Sequence, residues 1–413
     1  TGRMGYTRYG IGKEDSLMPW KETCVMDLKM QMIGACLSDE HTVADIARAY
    51  GVSRKTVYKW LARYASDGAS GLEERSHAPR HVPHAIDEAV AQDIIATKRA
   101  HPSFGPKKVM DRLRAQDPDR TWPADSTAGE LLKRVGLVNK RRYKQPYPAD
   151  PQPFELGHTN HALWSVDYKG QYPSAGADQW CYPLTITDNA SRYLIGCQGV
   201  CNTRHEQARP VFEWAFRTYG LPQGILSDNG PPFASHAAGG LTELSLWWIR
   251  QGIKVHRTKP GTPTQNARHE RMHGTLNRAI GAQMRGAGRV RQDELLSHFR
   301  HEYNHERSHE SLDRQTPASR FVESTRPYSG ILLPIQYQDD QLVRSVRHNG
   351  EIKFKGKMIY IAQLLATLPV GLREIDNDRF EVRICEHLLG HLDLSKGCLE
   401  KATQWHLPDE EKV

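Results

Sequence analysis

Apolar residues in the segment 41–64 recur at helical spacing and predict two helices joined by a tight turn. The positions concerned are Ile46, Ala47 and Tyr50 in the first helix and Val57, Trp60, Leu61 and Tyr64 in the second. Gly51 permits the tight turn between them, and Ser53 is a favourable N-cap for the second helix. This segment therefore predicts a helical pair with a shared buried face.

Three basic residues of the second predicted helix, Arg54, Lys55 and Lys59, point away from its apolar face. The turn, the cap and the outward basic side chains together are typical of a helix-turn-helix, whose second helix enters the major groove of DNA. The alternative is a helical hairpin whose lysines only contact solvent. We expect DNA binding because the three local signals agree.

The segment 86–144 repeats the helical pattern less clearly and predicts a second helix-turn-helix-like module. Its amphipathic stretches are 103–114 and 125–144. The module ends in a basic cluster formed by Lys140, Arg141, Arg142 and Lys144. Such a cluster either contacts DNA phosphates or is a solvated surface, and we favour the phosphate contact.

After residue 160 the apolar positions change to the alternation of β-strands. Trp164, Val166 and Tyr168 alternate with polar residues, so Asp167 projects from the opposite side of its strand. Residues 181–200 predict two further strands joined by a turn of sequence DNAS. A helix follows near 204–219, which makes this region α/β.

A second acidic residue, Asp228, stands where a short apolar strand stops. Asn229, Gly230 and two prolines come directly after it and prevent the strand from continuing. The carboxyl end of a strand is where α/β sheets place ligands. Asp228 is therefore a candidate site residue.

A third acidic residue, Glu270, lies on a helix predicted to begin near Thr264 or Gln265. At about 100° per residue, one face carries Asn266, Glu270, His273 and Asn277, another carries Met272, Leu276 and Ile280, and Arg271 and Arg278 flank them. Glu270 thus points away from the apolar side of its helix. We expect it to face the ends of the strands.

Asp167, Asp228 and Glu270 together form a set suited to hard divalent cations such as Mg²⁺. Two such ions about 4 Å apart can activate an attacking oxygen and stabilise a leaving one in phosphodiester cleavage. Asp188 competes as the first acid, but it lies in the DNAS turn, where Asp commonly caps the backbone. Three histidines lack the spacing of a zinc site: His256, His269 and His273.

Short strands and tight turns mark the segment from Gln336 to Leu394. Asn349-Gly350 predicts a hairpin, and Lys355-Gly356 predicts another turn. Five or so short strands suggest a small SH3-like barrel. One of its hairpins is basic, and DNA and a partner subunit are equally reasonable ligands for it.

Composition narrows the function further. The formal net charge of +8 makes nucleic acid a better expected partner than an acidic small molecule. Seven scattered cysteines without a CxxC pair argue against a zinc ribbon or a disulfide framework and suit a reducing cytoplasm. The apolar runs are too short to predict a membrane span.

The chain resembles the DDE transposases of bacterial insertion sequences, whose catalytic core is similar to retroviral integrase and has an RNase H-like fold. The motifs that carry this resemblance are WSVDYKG (164–170), LTITDNASRY (184–193), ILSDNGPPFAS (225–235), RTKPGTPTQNARHERMHGTLNRAI (257–280) and FRHEYNHERSHESLDRQTPASRF (299–321). The resemblance implies that Asp167, Asp228 and Glu270 are the catalytic, metal-binding residues, with two Mg²⁺ or Mn²⁺ ions per active site. Its implied partners are transposon-end and target DNA, and it implies self-association as a dimer or higher oligomer in a bacterial cytoplasm, near the nucleoid.

Two departures from the family pattern stand close to the acids. Gln265 and Asn266 are followed by Ala267 where the family commonly has glycine, and Glu270 lies 42 positions after Asp228, a long spacing. The extra residues fall in the segment 235–244. Since neither change removes an acid, we expect activity. The alternatives are a DNA-binding regulator with an idle core and a ribonuclease H, which would not explain the helix-turn-helix.

These patterns predict a multidomain chain of α-helical helix-turn-helix modules, an α/β RNase H-like core and an all-β SH3-like barrel. The expected boundaries are 1–17 for a tail ahead of Met18, 18–73 for the helix-turn-helix, 86–144 for the second module, 145–160 for a linker, 161–325 for the core and 335–395 for the barrel. Proline-rich segments at 74–85 and 145–160 support the breaks before and after the second module.

Overall fold

The computed structural model describes residues 24–74, 86–138, 157–176, 179–259, 266–332 and 334–402. Several predictions therefore lie outside the described residues. They are the tail and Met18, the basic cluster at 140–144, most of both proline-rich segments, and the residues Thr264 and Gln265. The chain divides into two compact units, 1–85 and 86–413.

The first unit contains a helix-turn-helix region. Its helices are α1 (Val25–Leu37), α2 (Val43–Ala49) and α3 (Arg54–Asp67). Ser53 caps α3 by accepting a hydrogen bond from the amide of Thr56, as its side chain type predicts. Its core is built from both helices of the predicted pair, from α1 and from the segment after α3, and it contains Met32, Ile33, Ile46, Ala47, Val57, Trp60 and Leu72. Gly51 has a φ of 66°, which is the left-handed conformation that the tight turn requires.

The second unit begins with three further helices. These are α4 (Glu88–Ala100), α5 (Pro106–Gln116) and α6 (Asp125–Arg134), which share a core around Ile94, Phe104 and Met110. The helix predicted over 103–114 starts at Pro106 instead, because proline suits the first helical position, where no amide hydrogen is needed. The helix predicted over 125–144 ends at Arg134, and Gly136 follows with a φ of 74°.

A mixed sheet forms the centre of the second unit. Its strands are β1 (Leu163–Tyr168), β2 (Tyr172–Pro173), β3 (Trp180–Asp188), β4 (Leu194–Val200), β5 (Gly224–Ser227) and β6 (Lys254–Arg257). The strand order is β2-β3-β1-β5-β6, with β4 also pairing with β3. Strand β1 runs antiparallel to β3 and parallel to β5.

Helices cover both faces of this sheet. They are α7 (His205–Tyr219), α8 (Glu243–Arg250), α9 (Ala267–Met284), α10 (Arg289–His305) and the short α11 (Pro317–Arg320). One face packs Trp164 and Val166 against α7 and α8. The other face packs Leu194 and Cys197 against α9 and α10. The result is an α/β core, as the sequence predicts, with the sheet as the middle of three layers.

The carboxyl-terminal part is rich in β-sheet. Its strands are β7 (Leu342–Ser345), β8 (Glu351–Phe354), β9 (Lys357–Tyr360), β10 (Pro369–Asp376), β11 (Arg379–Ile384), β12 (His387–Asp393) and β13 (Cys398–Lys401). Five of them form a sheet in the order β13-β12-β11-β10-β7, and β8 pairs with β9. The ladders formed by the described residues do not close into a barrel, so the SH3-like barrel stays a prediction.

One predicted hairpin in this region is wrong. Lys355-Gly356 does connect the paired strands β8 and β9. Asn349-Gly350 also forms a turn, with the amide of Gly350 donating to the carbonyl oxygen of Arg347. However, β7 on its amino-terminal side pairs with β10 rather than with β8. The turn residues are local, whereas the choice of strand partner depends on packing with a distant segment.

Across the described part of the chain, every helix is too short or too polar to span a lipid bilayer.

Candidate active site

The two aspartates are brought together by the pairing of their strands. Asp167 lies near the carboxyl end of β1, opposite Thr185 on β3. Asp228 follows the last residue of β5, which lies parallel to β1 in a register that pairs Ser165 with Leu226. Because the carboxyl ends of neighbouring parallel strands meet at one edge of a sheet, both carboxylates lie at the same edge.

The charge environment of Asp167 reflects this convergence. Burial, the negative charge of Asp228 and, to a lesser degree, that of Glu270 together raise the pKa of Asp167 to about 7. Burial also raises the pKa of Asp228, although the amide of Gly230 donates a hydrogen bond of 3.2 Å to its Oδ1 and acts in the opposite direction. The three predicted acids therefore act on a shared region, with Asp167 at its most buried point.

Glu270 is placed differently from the two aspartates. It lies in the first turn of α9, and its side chain is exposed. Within the ranges that the structure describes, three or more His, Cys, Asp or Glu side chains do not come together as a ready-made metal-binding group. The oxygen donors of the three carboxylates suit Mg²⁺ or Mn²⁺. In this structure, however, the three carboxylates are not gathered closely enough to form a complete metal-binding group.

Two histidines of α9, His269 and His273, hydrogen-bond this helix to strand β3 of the sheet. The hydroxyl oxygen of Thr185 lies 2.6 Å from Nε2 of His269 and 2.8 Å from Nε2 of His273. Nδ1 of His269 lies 3.0 Å from the hydroxyl of Thr187. Burial lowers the pKa of His273 to about 3 and that of His269 well below its ordinary value, so both rings are neutral.

The sequence pattern missed this role. It placed His273 on the same face as Glu270, whereas His273 is buried and Glu270 is exposed. The available signal was the spacing of His269 and His273, which lie four positions apart and so occupy one side of a helix. A buried neutral histidine pair cannot be recognised from spacing alone, because its threonine partners are more than 80 positions away.

Two side chains of α9 approach the Asp167 carboxylate directly. Nδ2 of Asn266 lies 3.4 Å from Oδ2 of Asp167, and Nδ1 of His273 lies 3.8 Å from the same oxygen. The sequence predicted one helix face with Asn266, Glu270, His273 and Asn277. Of these four residues, Asn266 and His273 approach Asp167. Asn277 instead accepts a hydrogen bond from the hydroxyl of Tyr172 at 3.3 Å.

Asp188 has the structural role expected of a turn residue. It is fully buried, and its carboxylate accepts hydrogen bonds from the amide of His161 and from the amide and hydroxyl of Ser191. These contacts use both carboxylate oxygens: Oδ1 accepts from His161, ahead of β1, and Oδ2 accepts from Ser191 in the β3–β4 turn. Asp188 is thus committed to the turn and is not available as a ligand.

The predicted DNA contacts are distributed over both units. Arg54, Lys55 and Lys59 are exposed on α3 in the first unit. Arg271 and Arg278 are exposed on α9, and a guanidinium nitrogen of Arg278 lies 3.1 Å from the hydroxyl of Thr275. Lys140, Arg141, Arg142 and Lys144 lie outside the described residues. Each of the five described basic side chains is exposed and therefore accessible to DNA.

Three family models match the chain. A winged helix-turn helix model matches residues 30–92. Two integrase core domain models match residues 157–263 and 251–317, which together run from the first strand of the central sheet through α10. The matched residues include all three predicted acids.

Two curated relatives come from bacterial insertion elements. The chain is 24% identical over 249 residues to a 39.2 kDa protein of insertion element IS476 from Xanthomonas euvesicatoria, covering 59% of this chain and 66% of that protein. It is 25% identical over 195 residues to a 31.7 kDa protein of insertion element IS407 from Burkholderia multivorans, covering 46% of this chain and 65% of that protein. The match thus spans just under two thirds of each relative.

A solved structure with partial similarity is the simian T-cell lymphotropic virus intasome in complex with the PP2A regulatory subunit B56 gamma. The overlap has a TM-score of 0.36 at 13% identity and covers 74% of this chain and 98% of the viral chain. A TM-score this low indicates only loose overlap and carries no argument about this chain. The sequence matches show that the chain is similar to insertion-element proteins and that it has segments similar to a winged helix-turn helix and to an integrase core domain.

Proposed function

We propose that this protein is a DDE transposase, which binds transposon-end DNA, cleaves it with divalent metal ions and joins the 3′ ends to target DNA. The observation that carries this proposal is the convergence of three acids within an integrase core domain. Asp167 comes from β1, Asp228 from the end of β5 and Glu270 from the first turn of α9, and the charges of the latter two raise the pKa of the first.

Asp167, Asp228 and Glu270 would hold the metal, which we propose to be a pair of Mg²⁺ or Mn²⁺ ions. Carboxylate oxygens are the ligands that these hard cations prefer. When bound, such ions supply positive charge to the attacking and leaving oxygens of a phosphodiester displacement. The mutual repulsion of the three carboxylates favours cation binding, because a cation relieves it.

The residues around the acids have distinct roles in this proposal. Asp167 must be ionised to act as a ligand, and Asn266 can orient its Oδ2 from 3.4 Å away. His269 and His273 hold α9 against β3 through Thr185 and so set the position of Glu270. In these roles Asn266, His269 and His273 stay neutral and do not exchange a proton during the reaction.

The remaining parts would bring DNA to the core. The exposed basic side chains of α3, which are Arg54, Lys55 and Lys59, would contact transposon-end DNA, and Arg271 and Arg278 would contact the DNA next to the acids. Lys140, Arg141, Arg142 and Lys144 would add phosphate contacts. The β-rich carboxyl-terminal part would close as an SH3-like barrel and bind DNA or a partner subunit.

We also propose that the protein self-associates, as a dimer or a larger oligomer, and acts in the bacterial cytoplasm at the nucleoid. Two transposon ends have to be cut and joined together, so at least two active sites must be held in one assembly. Cross-linking in the presence of end DNA would test this, and a monomer at every concentration that supports joining would contradict it.

The test of the proposed function is strand transfer with labelled transposon ends and Mg²⁺. The native chain is compared with Glu270→Gln, which keeps the shape of the side chain and removes its charge. Glu323→Gln is the matched control, because Glu323 is exposed and lies outside the site. We expect joining to be lost only in Glu270→Gln. Native protein that neither cleaves nor joins end DNA would favour a DNA-binding regulator, and faster cleavage of RNA–DNA hybrids would favour a ribonuclease H.

A further inference from the structure

Two arginines from distant parts of the second unit converge on one main-chain oxygen. Arg192 lies in the turn between β3 and β4, and its Nη1 donates a hydrogen bond of 2.7 Å to the carbonyl oxygen of Asn189. Nη1 of Arg268, on α9, lies 3.4 Å from the same oxygen. Two guanidinium groups therefore meet at the β3–β4 turn, beside the first turn of α9.

A third arginine joins them. Arg271 is one position after Glu270 and is exposed, and its positive charge acts on both Arg192 and Arg268. Burial and, to a lesser degree, the positive charges of Arg268 and Arg271 together lower the pKa of Arg192 to about 10. Like charges held this close destabilise one another unless an anion lies between them.

Two other arginines of this unit pair with carboxylates. Arg112 forms an ion pair of 2.8 Å with Glu306, and Arg314 forms ion pairs with Asp111 and Asp125. By contrast, among the described residues no Asp or Glu oxygen lies within 4.0 Å of a guanidinium nitrogen of Arg192, Arg268 or Arg271. Arg192 and Arg268 thus share a carbonyl oxygen, and among the described residues none of the three arginines forms an ion pair with a carboxylate, although the negative charge of Asp188 acts on Arg192 from a greater distance.

The backbone also holds Arg192 in place. Its φ is 62°, a left-handed conformation that a side chain bearing Cβ adopts at an energetic cost. The preceding turn residues are fixed by the contacts of Asp188 with Ser191. The turn therefore presents Arg192 toward Arg268 in a defined orientation instead of leaving it as a freely moving surface side chain.

We propose that Arg192, Arg268 and Arg271 form one binding site for the phosphodiester backbone of DNA, next to the acidic residues of the core. The proposal rests on the proposed function, and it adds Arg192 and Arg268, which the sequence pattern did not single out. Guanidinium groups suit this ligand because their planar fork of N–H donors matches the oxygens of a phosphate. Arg268 and Arg271 lie on either side of Glu270 in the chain. A phosphate bound by these arginines would therefore lie beside the first turn of α9.

The experiment measures how the affinity of the full-length protein for a duplex of unrelated sequence depends on salt, with EDTA present so that no cleavage occurs. The variants are Arg192→Gln and Arg268→Gln, and the matched control is Arg217→Gln, an exposed arginine on α7. Each lost phosphate contact reduces the slope of log K against log salt by about 0.9. We expect that reduction in each of the two variants and an unchanged slope in the control.

One further variant, together with the separate position of Arg268, keeps the result decisive. Arg192→Lys retains the charge but loses the fork, and it should lose affinity while keeping most of the slope, even if Arg192→Gln does not fold. Arg268→Gln lies on a different element and reports independently. If the folded variants show native slopes, the phosphodiester site is wrong.

The outcome is separable from that of the proposed function. If the arginine variants show reduced slopes but the native chain fails to join DNA, the phosphodiester site is supported and the transposase proposal is contradicted. If both variants show native slopes and the native chain joins DNA normally, the phosphodiester site is contradicted and the transposase proposal is supported.

Discussion

The hydroxyl oxygen of Thr185 lies 2.8 Å from Nε2 of His273, and the same hydroxyl donates a hydrogen bond of 2.9 Å to the main-chain oxygen of Asp167. One side chain of β3 thereby connects the helix that carries Glu270 to the strand that carries Asp167. The distance between two of the three candidate catalytic acids depends on this connection.

Replacing Thr185 with valine keeps the shape of the side chain and removes its hydroxyl. We expect the free energy of unfolding to fall by about 1–3 kcal/mol, because both buried histidines lose a hydrogen-bond partner. Denaturant unfolding measures this loss. Thr218→Val is the control, since Thr218 is exposed and its hydroxyl donates to the carbonyl oxygen of Trp214 within its own helix.

The positioning role of Thr185 has a separate readout. At a temperature where Thr185→Val is fully folded, the Mg²⁺ concentration for half-maximal joining should rise, because Glu270 is no longer held in register with Asp167. Loss of stability alone would lower the amount of active protein and leave that concentration unchanged. An unchanged metal requirement would therefore assign Thr185 a purely structural role.

Joining by the native chain should fall as the pH is lowered through about 7. The pKa of Asp167 is raised to about 7, so its carboxylate becomes protonated below that value and is no longer available to a cation. The measurement is Mg²⁺ binding between pH 5.5 and pH 8.5, at constant ionic strength. Metal affinity that does not weaken toward pH 5.5 would contradict the buried position of Asp167.

Without metal, the same residue should make the fold less stable at high pH. A carboxyl group whose pKa is higher in the folded chain than in the unfolded chain adds stability at low pH, and this stability is lost as the pH rises through the folded value. In EDTA, Asp167→Asn should therefore gain stability relative to the native chain between pH 5 and pH 8. Unfolding curves at both values test this, with Asp119→Asn, an exposed site, as the control.

The helices α4–α6 should loosen from the core when Asp111 is changed. Its carboxylate forms an ion pair of 2.5 Å with Arg314 and accepts a hydrogen bond of 2.5 Å from the hydroxyl of Ser308, both beyond α10. Asp111→Ala leaves the buried Ser308 hydroxyl without this acceptor and leaves Arg314 paired with Asp125 alone, at a cost of about 1–3 kcal/mol. Hydrogen exchange of α5 should accelerate, whereas Asp119→Ala should leave it unchanged.

DNA binding by the first unit should depend on the exposed basic residues of α3. Replacing Arg54, Lys55 and Lys59 together with alanine should weaken binding of transposon-end DNA by at least tenfold, because each contact with phosphate or base contributes on the order of 1 kcal/mol or more. Thermal unfolding should stay native, since none of the three is buried. Native affinity for end DNA would assign end recognition to another part of the chain.

Local sequence signals were sufficient where the structure depends on neighbours in the chain. Gly51 and Ser53 predicted the turn and the start of α3, and both have the expected conformation and contact. The residues after Asp228 predicted the end of β5 at the correct position. Turn residues, caps and hydrophobic periodicity act over a few residues, so one sequence is enough to recognise them.

Contacts between distant segments were not predictable in the same way. The alternation of apolar residues did not reveal that β7 pairs with β10 and not with β8. Helical periodicity placed His273 beside Glu270, although the threonines of β3 hold it in the interior. A periodic pattern records which side of an element is covered, but it does not record which segment covers it.

The sequence by itself determined the type and order of the elements and the three acids that stand at their ends. Only the tertiary structure decided that Thr185 joins two of the elements bearing those acids, and that Arg192 meets Arg268 at the carbonyl oxygen of Asn189. The physical reason is that secondary structure follows from interactions between near neighbours in the chain. The site instead depends on hydrogen bonds and charges whose partners lie some 80 positions apart and meet only after the sheet and α9 have packed.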